Sequence, residues 1–189
     1  MKTEITNLLR SAKRENIPSL ISWLEKSDFF TAPASTRFHG SYKGGLAEHS
    51  LNVYKCLLEL SSNLPYGFQN FNFDSIVICG LLHDVCKINF YKESLRNKKN
   101  EQGQWIQVPF YEVEDQDPYG HGEKSVMLIE KYIDLLDEER YSIRWHMGGF
   151  DESIKGGSYA IGKAYEKYPF ALALHMADMM ATYILEKEK

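Results

Sequence analysis

A histidine directly followed by an aspartate inside an apolar run, His83 and Asp84 in ICGLLHDVCKI, is the strongest chemical signal in this sequence. A carboxylate in such a run is costly to bury unless something offsets its charge. On a helix Lys87 follows Asp84 by three residues and His83 by four, which puts a nitrogen ligand, an oxygen ligand and a cation on one face. With a metal ion on the pair, that face becomes a phosphate site. Without one, the pair reads as an internal hydrogen bond at a helix end.

His49, in GGLAEHSLNVYKCLL, comes three residues after Leu46 and four before Val53, so it points to the core side of its helix. In PFALALHMADMMATYIL, Ala171, Leu174, Asp178 and Leu185 form an apolar stripe whose sole charge is Asp178, a carboxylate that needs a partner from elsewhere in the chain. His175, one turn earlier, either orients Asp178 or is an ordinary core or surface histidine. His121 in DPYGHGEKS opens a helix, and His146 in IRWHMGG closes one. Singly, such histidines are more often structural than functional. Together, His49, His83, Asp84, His121, His146 and Asp178 supply enough nitrogen and oxygen donors for two divalent ions sharing a bridging carboxylate. The donor set suits Mn, Fe, Ni, Co or Zn, accepts Mg, and does not choose among them. His39, in STRFHGSYKGG, has no ligand slot; with Arg37 and Lys43 it either lines the entrance and meets substrate or lies in a solvated loop.

These residues need helices to hold them. Apolar residues recur at three- and four-residue steps in Ile5, Leu8, Leu9, in Leu20, Ile21, Leu24 and in Leu46, Val53, Leu57, Leu60. Pro18 suits the first turn of the second helix, and Gly44 and Gly45 mark the start of the third. Residues 31–43 read as an ordered loop. Asp74 reads as the N-cap of a buried helix that runs to Lys87. The aromatic, alternating stretches NFYKESLRNK and QWIQVPFYEVED predict a small β-hairpin insertion near residues 89–114, which either caps the pocket or covers an edge of the bundle. Helical periodicity returns over 122–136, 138–147 and 169–186.

At 189 residues, without an internal repeat or a low-complexity linker, the chain reads as a single domain. Residues 1–43 supply N-terminal helices and a loop, and residues 44–189 the metal-binding core. The three cysteines, Cys56, Cys79 and Cys86, are odd in number and lack a CxxC pair, so they read as reduced core thiols. A net charge of −4 gives no general pull toward polyanions, which favours a small phosphorylated substrate over nucleic acid. No apolar run approaches a membrane span and MKTEITNLLRSAKREN lacks a signal-peptide core, so the expected location is the cytoplasm, with no membrane partner. Oligomeric state is not legible in the pattern.

The order His49, His83-Asp84, Asp178 on separate helices resembles the H…HD…D motif of the HD superfamily of metal-dependent phosphohydrolases. GGLAEHSLNV is similar to that family's first-histidine helix and LLHDVCK to its HDxGK segment, with Cys86 standing where glycine is usual. The likeness runs from about Gly44 to Asp178, and His121 and His146 fall where two-metal members carry extra histidines. It implies an all-α HD-domain helical bundle. One ion would be held by His49, His83, Asp84 and Asp178, and Asp84 would bridge to a second held by His121 and His146. A water between them, its pKa lowered, would attack phosphorus. Lys87 would stabilise charge on the phosphoryl oxygens. The expected activity is hydrolysis of a phosphoester of a nucleotide or related small molecule. The rivals are a 3′-5′ exoribonuclease of the same superfamily, against which the acidic balance counts, and a non-catalytic metal or nucleotide sensor, against which the intact donor set counts.

Overall fold

The computed structural model describes residues 1–63 and 71–187. It is a helical bundle with one two-stranded hairpin, in agreement with the pattern. The elements are α1 (Lys2–Ser11), α2 (Ile17–Lys26), α3 (Gly45–Asn63), α4 (Phe73–Leu82), a 3₁₀ turn (Val85–Lys87), β1 (Tyr91–Lys99), β2 (Trp105–Val113), α5 (His121–Ile129), α6 (Asp137–Trp145), a second 3₁₀ turn (Gly148–Phe150), α7 (Glu152–Lys155), α8 (Ala160–Lys167) and α9 (Pro169–Met180), which continues into a π turn (Ala181–Leu185). The helix α3 packs on α4 and α9, α6 on α5 and α9, and α1 on α2 and α4. Their apolar faces meet in a buried cluster that includes Ile5, Leu20, Leu46, Ile78, Ile143 and Leu174.

Close contact between α3 and α4 requires a residue without a side chain. A Cβ on Gly80 would stand 2.7 Å from the Cα of Tyr54, so glycine there lets the His49 and His83 helices lie against each other. Gly122 does the same for α5 and α6, where a Cβ would stand 2.3 Å from the carbonyl oxygen of Arg144.

The helix expected to reach Lys87 stops at Leu82. Asp84 takes φ −109°, ψ 17°, in the bridge region between helix and strand, and the 3₁₀ turn follows. A 3₁₀ turn eclipses side chains three apart, so Asp84 and Lys87 still meet. Asn89, at φ 52°, ends the segment, and its backbone N–H donates to Asp28 Oδ1 at 2.8 Å. Two further expectations are corrected. The N-cap of α4 is Asn72, whose side chain accepts from the Asp74 backbone N–H, and not Asp74. Leu185 is 54% exposed because the π turn rotates it off the stripe of α9. The short helices α7 and α8 carry too few apolar positions to have announced themselves, and α8 buries only Ala164.

The hairpin pairs antiparallel from Tyr91↔Val113 to Lys99↔Trp105. Asn100 closes its turn by accepting the N–H groups of Gln102 and Gln104. Its strands are largely exposed, while its roots reach back to the bundle: Tyr91 Oη donates to the Ala34 carbonyl at 3.2 Å. Among the described residues no helix is long and apolar enough to cross a membrane.

Candidate metal centre

The structure gathers the other five predicted donors around the Asp84 carboxylate. Asp84 sits at the break after α4, and its two oxygens face opposite ways. Oδ2 lies 3.7 Å from both His49 Nε2 and His83 Nε2, and 2.6 Å from Lys87 Nζ. Oδ1 lies 2.7 Å from His121 Nε2 and 3.4 Å from His146 Nε2. Asp178, from α9, closes the first side with Oδ1 at 3.2 Å from His49 Nε2. His49, His83, Asp84 and His146 are buried, with Asp178 and His121 part-exposed at the rim.

The backbone holds the rings in one sense. His83 Nδ1 lies 3.1 Å from the Gly80 carbonyl and His146 Nδ1 lies 2.6 Å from the Ile143 carbonyl, each three residues back. A carbonyl only accepts, so both Nδ1 atoms carry the proton and both Nε2 lone pairs point at Asp84. His146 Nε2 has no hydrogen-bond partner, and His49 Nε2 and His83 Nε2 face each other at 3.4 Å. Imidazole nitrogens that converge on a carboxylate while their far nitrogens are tethered fit a bound divalent ion.

Two contributors were not anticipated. Glu186, just past the π turn, lies 3.1 Å from His49 Nδ1 and accepts from Asn52 Nδ2 at 2.9 Å, so it fixes the first histidine as the carbonyls fix the other two. In the sequence it is one of several charges ending a helix, with nothing to mark it. Cys86, read as a core thiol, places Sγ 3.4 Å from His121 Nδ1. His175 does not reach Asp178. Its Nδ1 takes the His146 carbonyl at 2.7 Å and its ring fills the space over Gly148, so it braces the end of α6.

The site supplies its own counter-charge: Lys87 and His121 lie on Asp84, and His49 lies on Asp178. Burial works against a charged His49, but hydrogen bonds to Asp178 and Glu186 prevail and push it up to about 9. Burial likewise opposes a charged His121, and Cys86 and Asp84 push it up to about 10. His83, buried among other imidazoles, drops to about 3. Asp84 and Asp178 are held below the usual carboxylate range despite burial, by Lys87 and His83 at Asp84 and by His49 at Asp178. The site therefore calls for positive charge and keeps its carboxylates ionised.

A cavity of about 860 Å³ adjoins the centre through Cys86, Lys87 and His121, and Phe90, Lys124 and Arg144 line it further out. Phe90 and Asp115, the roots of the hairpin, also border it, and Lys124 joins them by an ion pair to Asp115 at 2.6 Å and by lying 5.5 Å over the Phe90 ring. Of the residues expected at the substrate, Lys87 is there. His39 lies against His49, 4.6 Å between ring centroids with the planes tilted by 40°, and neither of its ring nitrogens is hydrogen-bonded. Arg37 and Lys43 are exposed and are not among the cavity-lining residues.

The family profile described as HD domain matches residues 46–180. Among curated proteins, the dihydroneopterin 2′,3′-cyclic phosphate phosphodiesterase of Methanocaldococcus jannaschii is 43% identical over 58 residues, 30% of this chain. The aligned part spans 23% of that protein's length. No solved structure matches significantly.

Proposed function

The chain belongs to the HD domain family of metal-dependent phosphoric ester hydrolases, and we propose that it is a phosphodiesterase acting on a small phosphorylated molecule, a nucleotide or a nucleotide-like cyclic phosphate. One observation carries this reading. The Asp84 carboxylate presents Oδ2 to His49 and His83 and Oδ1 to His121 and His146, so these residues together with Asp178 would hold divalent metal. Such ions supply Lewis-acid polarisation of a phosphoryl oxygen and water activated at neutral pH.

The chain's own residues do the rest. The Gly80 and Ile143 carbonyls and the Glu186 carboxylate hold the three imidazoles so that their lone pairs need no reorientation. Lys87, now on Asp84, sits at the cavity wall and turns to a phosphoryl oxygen once the carboxylate's charge is taken up elsewhere. There it offsets charge developing in the transition state. Lys124 and Arg144 line the cavity further out, Lys124 paired with Asp115 and Arg144 with Glu123 and Asp151, while the Phe90 ring offers a flat apolar wall. A cavity of about 860 Å³ lies in the range of small-molecule sites, which favours a nucleotide-sized substrate over an RNA strand. The cyclic phosphodiester named for the Methanocaldococcus jannaschii relative is the first substrate type to try.

The test is hydrolysis by purified protein with Mn²⁺, Fe²⁺, Co²⁺, Ni²⁺, Zn²⁺ or Mg²⁺ added. Four substrates are offered: a nucleoside 2′,3′-cyclic phosphate, a linear chromogenic phosphodiester, a phosphomonoester and a single-stranded RNA. Turnover of a small diester ahead of the others is expected. RNA turned over fastest would select the exoribonuclease, and no turnover with any ion would select the sensor.

A further inference from the structure

We infer that Cys86 is a ligand of the second ion: its thiolate joins Asp84 Oδ1, His121 and His146, and so biases that half of the centre toward a softer ion such as Zn²⁺, Fe²⁺ or Co²⁺ over Mg²⁺. The inference rests on the metal reading above. Cys86 Sγ lies 3.4 Å from His121 Nδ1 and 3.6 Å from His121 Nε2. Cys86 Sγ, a His121 nitrogen and an Asp84 oxygen all fall within 4.8 Å of one another. Sulfur and nitrogen on one zinc-like ion, with bonds of about 2.3 and 2.1 Å, stand roughly 3.6 Å apart at a tetrahedral angle.

A separate observation concerns the same Asp84 oxygen. His146 Nε2, on a fully buried side chain, has no hydrogen-bond partner and faces the Asp84 oxygen that His121 touches. That half of the centre thus has nitrogen, oxygen and sulfur converging on it. The other cysteines differ: Cys56 and Cys79 lie in the apolar cluster, whereas Cys86 is buried outside it, at the wall of the cavity. Its backbone N–H donates to Ser125 Oγ at 3.1 Å, which ties the 3₁₀ turn to α5 and keeps the thiol beside His121.

Binding as a thiolate releases one proton to buffer and involves no redox change. Thiolate ligation favours borderline and soft ions, whereas carboxylate and water suit Mg²⁺. A hydrogen bond from the thiol to the His121 ring would satisfy the same contact without this preference, and the two are separated spectroscopically.

The experiment is an anaerobic Co²⁺ titration of the chelator-stripped full chain, followed by near-ultraviolet absorption and by elemental analysis. A sulfur-to-cobalt charge-transfer band is expected to grow with the second equivalent and to be missing from Cys86→Ser and Cys86→Ala. Zn²⁺ affinity for the weaker site should fall at least about ten-fold in either variant. Co²⁺ bound at two per chain without the band would overturn the inference and leave the metal centre standing, as would a band that survives Cys86→Ser. No Co²⁺ bound at all would overturn this inference and the metal reading together. Because the wild-type spectrum decides, a variant that fails to fold does not spare the inference.

Discussion

At the scale of single residues, Asp84 and Lys87 form the shortest ion pair in the site, 2.6 Å apart, yet they should fail differently when removed. Asp84 presents an oxygen to each half of the centre, so Asp84→Ala should lose both bound metal and activity. Lys87→Ala should keep the metal and lower turnover by on the order of 100-fold, the usual loss for one charge-stabilising donor. Metal content and kcat, measured on the same preparations, check the pair. Equal metal loss in both variants would make Lys87 a structural partner of Asp84 and nothing more. The histidines give a second expectation. His49 and His121, pushed up to about 9 and about 10, carry protons at pH 7 that an ion must expel before it binds. Apparent metal affinity should therefore rise with pH from neutrality up to about 9. Calorimetry in buffers of different ionisation enthalpy should detect protons released at pH 7; a pH-independent affinity with no release would mean that both rings are already neutral.

At the scale of elements, one buried carboxylate ties the helices that frame the centre. Glu139 on α6 is fully buried; it accepts from Ser75 Oγ on α4 at 2.6 Å and from the Leu136 N–H at 2.8 Å, and pairs with Arg14 after α1 at 2.5 Å. Arg14→Met keeps the side-chain volume but leaves that charge without its cation, a change that costs about 3–5 kcal/mol. Denaturant unfolding should register it, and a loss below about 1 kcal/mol would mean that the Arg14–Glu139 pair adds little to stability. This knot was invisible in the sequence, because Arg14 and Glu139 are 125 residues apart and each reads as a surface charge. The helices carrying His49 and Asp178 were legible, since a lone polar residue on a three-and-four apolar stripe must face the core. The break at Leu82 was not: the run from Ile76 to Leu82 is apolar on every side and Val85 and Cys86 continue it, so periodicity cannot tell a helix from a helix followed by a 3₁₀ turn. Glu186 was missed for a related reason, because a π turn moves it onto His49 from a register in which a regular helix gives no reason to place it.

At the scale of the whole molecule, five separate stretches converge on one region: α3 with His49, the turn after α4 with His83 and Asp84, the start of α5 with His121, the end of α6 with His146, and α9 with Asp178. Such convergence from residues 49 to 178 would let the chain hold two ions against two carboxylates, and under the proposed function the adjoining cavity would admit the phosphorylated small molecule. The number of bound ions is the quantity that separates a two-metal centre from a single-metal one. The most direct measurement is elemental analysis of wild type, His121→Ala and His146→Ala, prepared without chelator and saturated with Fe²⁺ or Co²⁺ under anaerobic conditions. It needs no substrate and no assumption about the reaction. Wild type should hold about two ions per chain, and each variant about one, retained on His49, His83, Asp84 and Asp178. A wild type that never exceeds one ion, or variants that keep the wild-type number, would contradict the bridging role of Asp84 and leave His121 and His146 as substrate or proton-transfer groups beside a single metal.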